Sequence, residues 1–168
     1  MSDEDPLLAV DDIHSYYGDS HVLEGVDVDV YEGEVVALVG RNGVGKTTTL
    51  RSILQLTPPR EGSIRYRGEE LVGLETHEVA GRGVGWVPED RRVFSQLTVT
   101  ENIRAAVPEG QDVADGLQTA FSRFPDLDDR REANAGDLSG GQQQMLAVAR
   151  GLVGGNDLLV GDAAPQGL

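Results

Sequence analysis

The stretch Gly40-Arg41-Asn42-Gly43-Val44-Gly45-Lys46-Thr47-Thr48 decides how this 168-residue chain is read. It has the spacing G-x-x-x-x-G-K-T. Glycine at positions 40, 43 and 45 lets backbone N–H groups turn inward on phosphate oxygens. A helix that starts at Lys46 points its positive end at the same place. Lys46 is then set to reach the β and γ phosphates of a nucleotide, and the Thr47 hydroxyl to ligate Mg²⁺. A strand before the loop and a helix after it are the expected context. Glu34 to Val39 is a short, nearly continuous apolar run, expected as a strand in the buried middle of a parallel sheet. Lys46 to Leu56 reads as a helix, stopped by Pro58-Pro59.

Working outward, Leu7 to Ile13 and Val22 to Val30 read as strands, the second alternating apolar and acidic residues. Ser63 to Arg67, Val84 to Val87 and Leu158 to Val160 read as further short strands. From Thr98 the period changes. Thr98 to Val107 is expected to be helical, with Glu101 three residues after a threonine cap. Asp112 to Phe124 is expected to be helical too, as is Gly141 to Leu152, whose apolar side carries Met145, Leu146, Val148, Ala149 and Leu152. Asp128 to Arg131 reads as a solvated helix face. Strands alternating with helices predict an α/β core. The chain is expected to be one domain: 1–90 a nucleotide-binding core with an N-terminal β part, 91–150 an inserted helical subdomain, and 151–168 a last strand and the chain end.

The totals exclude several classes. Apolar residues make up 39%, which argues against disorder throughout. Cysteine is absent, so no disulfide framework or thiolate metal site is expected. His14, His21 and His77 lack metal-ligand spacing. No apolar run approaches the roughly 18 residues of a membrane span, and the acidic N-terminus is unlike a signal peptide. A soluble, cytosolic chain is expected. The net charge of −15 argues against a nucleic-acid partner. Thirteen of the fourteen basic residues are arginine and the only lysine is Lys46. Such an acidic, lysine-poor surface resembles proteins of salt-loving cells, where screening tolerates self-repulsion.

A second constellation is Leu138-Ser139-Gly140-Gly141-Gln142. Ser139 and Gln142 form a capping box. That explains neither glycine, since glycine disfavours a helix start built only for stability. Glycines there let a phosphate approach the helix end closely.

The two motifs together resemble the nucleotide-binding subunit of ABC transporters over essentially the whole chain. Val87 to Phe94, Leu97 to Asn102, Phe124-Pro125 and Leu138 to Ala147 are similar to the second ATPase of branched-chain amino acid importers. The resemblance implies a P-loop NTPase fold, with a RecA-like parallel core and an N-terminal antiparallel β part. It also implies ATP and Mg²⁺ as cofactors. Tyr17 falls where the family stacks an aromatic ring on adenine. Glu89 falls where most members carry the glutamine that senses Mg²⁺ and the membrane partner. Asp162 would order Mg²⁺ together with Thr47. Membrane permease subunits are the implied partners, with a second ATPase subunit paired head to tail so that Ser139 and Gly141 close over the phosphate held by Lys46 of the other copy. The location implied is the inner face of the cell membrane.

Two features depart from the pattern. Ala163 stands where the family has the glutamate that activates water, so no catalytic base is intact there, and a lost general base costs about 10²–10⁴ in rate. The chain also stops at Leu168, before strands that the family goes on to form. Weak hydrolysis in a truncated copy is the expectation. A non-catalytic nucleotide-binding or regulatory module, or a truncated fragment without function, is the competing reading. A chromosome-maintenance ATPase is excluded, because no heptad repeat separates Lys46 from Ser139.

Overall fold

In the computed structural model, which describes residues 5–41, 43–87 and 93–161, the residues around the loop and those around the second motif fall into two units. Met1–Arg82 forms one and Gly83–Leu168 the other.

The first unit is built on β1 (Leu8–Tyr17), β2 (Ser20–Val30), β3 (Glu61–Tyr66) and β4 (Glu69–Glu70), antiparallel and in the order β2-β1-β3-β4. The alternation seen in the sequence sets the register. Val10 pairs with Val28 on one side and Ile64 on the other, which puts apolar side chains on a common face. Leu8, Val10, Ile13, Leu23, Ile64 and Tyr66 are all buried. β1 runs on to Tyr17, past the Ile13 end read from the sequence. Its pairing slips between Val10 and Ile13, where Asp12 takes φ 46°, so the two-residue period fails while the strand continues. Helix α1 (Lys46–Ile53) packs on β1 and β2 through Thr48, Thr49, Ser52 and Ile53. A short helix, α2 (Thr76–Gly81), follows β4.

The second unit contains β5 (Val84–Val87) and β6 (Leu158–Gly161), which pair in parallel with Trp86 opposite Val160. Between them lie α3 (Val99–Arg104), α4 (Val113–Arg123), α5 (Pro125–Asp128) and α6 (Gly140–Val153). Their facing sides bury Ile103, Phe121, Leu127, Leu138, Leu146 and Val153 in one apolar cluster. At about 1.5–3 kcal/mol for each large side chain removed from water, this cluster is the main favourable term holding the helices together. The α/β class with both antiparallel and parallel pairing is as the sequence implied.

One expected element is different. Residues 34–39 form no strand. They carry no assigned secondary structure and are mostly exposed, with Val35 at 84% and Val39 at 88%. The apolar composition was read correctly, but a strand exists only by pairing, and no described residue pairs with this run.

Candidate functional site

The loop geometry follows from its glycines. Gly43 and Gly45 take φ 83° and 101°, values that L side chains adopt only with strain. They differ in surroundings. A Cβ on Gly43 would meet open space, whereas one on Gly45 would lie 2.6 Å from Leu23 Cδ2 on β2. Gly45 thus presses the loop onto the sheet, and Gly43 leaves room above it. Gly45 is also the residue before α1. Having no side chain, it makes no side-chain cap to the helix end.

Lys46 Nζ folds back to donate to the carbonyl of Gly40, and lies 3.4 Å from that of Arg41. The only lysine ammonium of the chain is therefore held over the loop. Thr47 is exposed and Thr48 buried. Thr49 Oγ1 donates to the Gly45 carbonyl at 3.0 Å, tying the first turn of α1 to the loop. Asn42 lies outside the described residues.

Tyr17 stands beside α1. Its hydroxyl lies 3.4 Å from Thr57 Oγ1, and the Thr57 hydroxyl, then Arg51, hold it below its ordinary pKa. The residue remains 46% exposed. The sequence reading missed Thr57, Arg51 and Leu23 as supports of this site. They lie in other elements, and nothing in their local pattern marks them.

In the second unit Ser139 caps α6. Its Oγ accepts from the Gln142 N–H at 3.2 Å, while Gln142 Oε1 accepts from the Ser139 N–H at 3.1 Å. That reciprocal box accounts for two of the four signature residues. Gly140 opens the helix. A Cβ on Gly141 would meet no protein atom, so packing does not require glycine there. Gln142 also lines a cavity of about 420 Å³ together with Asp126, Asp129 and Arg130. Glu89, Asp162 and Ala163 lie outside the described residues. Among the described residues no group of three or more metal-ligating side chains comes together, and no helix is long and apolar enough to cross a membrane.

The contrast between the two glycines predicts a measurable difference. Gly45→Ala should cost about 2–4 kcal/mol in urea unfolding, from backbone strain plus overlap with Leu23. Gly43→Ala should cost about 1 kcal/mol, from strain alone. Equal losses would mean that Gly45 does not pack on β2 as described.

A glycine loop that delivers a lysine and opens onto an uncapped helix, in an α/β chain, defines a P-loop nucleotide-binding fold. The sequence profile of ABC transporters matches residues 23–165. The high-affinity branched-chain amino acid transport ATP-binding protein BraG of Pseudomonas aeruginosa is 42% identical over 96% of this chain and 70% of its own length. The probable branched-chain amino acid transport ATP-binding protein LivF of Archaeoglobus fulgidus is 36% identical over 88% of this chain and 63% of its own length. Among solved structures, cbiO1 of Clostridium perfringens, part of the ABC transporter complex cbiONQ, superposes with a TM-score of 0.84 at 26% identity, covering 98% of this chain and 68% of that one. The chain belongs to the ABC transporter family, as an ATP-binding subunit.

Proposed function

We propose that this chain binds ATP with Mg²⁺ to energise the import of branched-chain amino acids through membrane permease subunits, working at the cytoplasmic face of the membrane. The observation that carries the reading is the loop itself: Lys46 held over a glycine turn that opens onto the uncapped end of α1. A Cβ on Gly43 would meet no atom within 4 Å, which leaves that side of the loop open to a ligand. In this reading Gly40, Asn42, Gly43 and Gly45 wrap the phosphates, and Lys46 neutralises their charge. Thr47 and Thr48 add hydroxyls, and Thr47 and Asp162 hold the metal ion. Tyr17 supplies a ring for the base, and Glu89 links the metal to the permease. Mg²⁺ would neutralise phosphate charge and supply Lewis acidity. Ser139, Gly140, Gly141 and Gln142 meet the phosphate of a second ATPase subunit paired head to tail, the bare Gly141 leaving room for it. The substrate class rests on the likeness to BraG and LivF.

The test is a titration with a fluorescent ATP analogue at high salt, where screening removes repulsion between a −15 chain and an anionic ligand. Lys46→Ala is expected to weaken binding about 10- to 150-fold, the worth of a charge-assisted contact of about 1.5–3 kcal/mol. Unchanged affinity would refute the assignment of Lys46. Ala163 favours a second reading, in which the chain binds nucleotide without turning it over and pairs with an intact ATPase.

A further inference from the structure

His14 and His21 stand too far apart in the sequence to form a helical metal motif, yet the pairing of β1 with β2 brings their rings together. His21 pairs with Tyr16, two residues along β1 from His14, so the two imidazoles are diagonal neighbours on one face. His14 Nδ1 lies 3.0 Å from His21 Nε2. The other nitrogen of His14, Nε2, lies 3.3 Å from Asp12 Oδ1. The bulge in β1 makes this arrangement. Val10 is buried before it, and Ile13 and Ser15 are buried after it. The slip therefore turns Asp12 and His14 together to the opposite face. Asp12 takes φ 46°, an uncommon value for a residue with a side chain. Gly25 keeps the place of its carboxylate clear, since a Cβ there would lie 2.8 Å from Asp12 Oδ1. His21 is fixed by stacking on Tyr16, with 4.2 Å between centroids and 5° between planes. The Arg60 guanidinium in turn lies 4.5 Å from the centre of the Tyr16 ring. All of these groups belong to the first unit.

We infer that His14 and His21 form a two-imidazole site for a divalent transition cation of the Zn²⁺ kind, with Asp12 as the carboxylate that orients His14. Two nitrogens held about 2.0–2.1 Å from one metal, at right to tetrahedral angles, stand about 2.8–3.4 Å apart. The 3.0 Å pair is already within that range. A carboxylate on the second nitrogen of a ligating ring fixes its tautomer and raises its basicity. Asp12 is placed to do so. With the His14 proton on Nε2, Nδ1 carries a lone pair. In the metal-free chain His21 Nε2–H donates to that lone pair. When His21 carries its proton on Nδ1 instead, both facing nitrogens offer lone pairs, and a cation takes the place of the shared proton. Imidazole suits Zn²⁺, Cu²⁺ and Ni²⁺, whereas Mg²⁺ and Ca²⁺ take oxygen ligands. The site therefore differs in chemistry from the Mg²⁺ site of the nucleotide loop. Water fills the remaining positions, and the ion ties β1 to β2 across the hairpin.

The test uses the full chain stripped of metal and nucleotide, at high salt, which screens nonspecific cation binding to a chain of charge −15. Zn²⁺ is the probe, followed by calorimetry and by the imidazole nitrogen spectrum, in which the chain has three rings to assign. One Zn²⁺ per chain is expected to bind and to shift His14 Nδ1 and His21 Nε2, leaving His77 in place. Mg²⁺ should shift none of them. His14→Gln and His21→Gln should each abolish the calorimetric signal, and His77→Gln should keep it. Asp12→Asn leaves both ligands and should weaken Zn²⁺ binding about 10- to 100-fold. Lys46→Ala should leave it unchanged, which separates this site from the nucleotide loop. The ring shifts are read on the unsubstituted chain, so a substitution that disturbs the hairpin does not blunt them. No shift of either ring at about 1 mM Zn²⁺, the weak end of measurable affinity, would overturn the inference. So would binding that survives His14→Gln, which would place the ion on surface carboxylates. Unchanged affinity in Asp12→Asn would also overturn it, leaving an adventitious pair of rings in place of a built site.

Discussion

Ala163→Glu is expected to raise phosphate release by about 10²–10⁴-fold, the contribution of a positioned general base. β6 ends at Gly161, so Asp162 and Ala163 are the next residues in sequence after the carboxyl end of a parallel strand. Ligands of open α/β sheets gather outside those carboxyl ends. A carboxylate at position 163 can take a proton from water, whereas the methyl group of Ala163 cannot. Ala163→Gln is the control, matching glutamate in size and polarity without its basicity, and should stay at the rate of the unsubstituted chain. Steady-state phosphate release is the measurement, with ATP binding checked in parallel. If the unsubstituted chain turns over ATP and Ala163→Glu adds nothing, the base lies elsewhere and the importer reading loses its account of residue 163.

The phosphate loop was legible because its chemistry is contiguous: spacing, glycines and the single lysine fall within nine residues. Helices α3 and α6 were legible because their caps are local too, Thr98 with Glu101 and Ser139 with Gln142. Helix α2 was missed because its N-cap residue is Glu75, whose N–H donates to the Glu78 carboxylate, and glutamate is not among the residues that usually mark a helix start. The length of β1 was underestimated because the slip at Asp12 destroys the alternation. Residues 34–39 are the instructive case. Their composition identifies a strand former, but whether it becomes a strand depends on neighbours that no local pattern contains. Tyr17 is similar: its family position could be read from sequence, but its bonding to Thr57, forty positions away, depends on the intervening fold.

Asn102→Ala is expected to destabilise the second unit by about 3–4 kcal/mol. Asn102 is fully buried on α3. Its Oδ1 accepts from the Phe94 N–H at 2.8 Å, and its amide group donates to the carbonyls of Phe94, Leu97 and Thr98 at 3.0–3.2 Å. The three carbonyls each keep another bond, from the N–H groups of Leu97, Ala135 and Asn102. The Phe94 N–H has no second partner among the described residues. The loss is therefore the partner of one part-buried donor, about 1–3 kcal/mol, plus the bonds of two amide protons shared among three carbonyls, whose net worth is smaller. The effect reaches the signature motif. Residues 94–98, which Asn102 fixes, bond to the stretch leading into α6 through Ala135 N–H to Leu97 and Gly136 N–H to Ser95. Phe94 also lies under the Arg150 guanidinium, 4.5 Å from the ring centre, and burial holds that group below its ordinary pKa. Loosening residues 94–98 should therefore loosen both ends of α6. Trp86, the only tryptophan, sits on β5 of the same unit, so its fluorescence in urea reads the transition. Asn102→Asp is expected to be worse at neutral pH, because a carboxylate offers the three carbonyls no proton and is itself buried. Burial raises such a carboxyl's folded pKa above the unfolded value of about 3.9, so its deficit should shrink as pH falls toward about 4. A loss below about 1 kcal/mol for Asn102→Ala would mean that water replaces the amide without cost, and that the route from α3 to the signature helix carries no constraint.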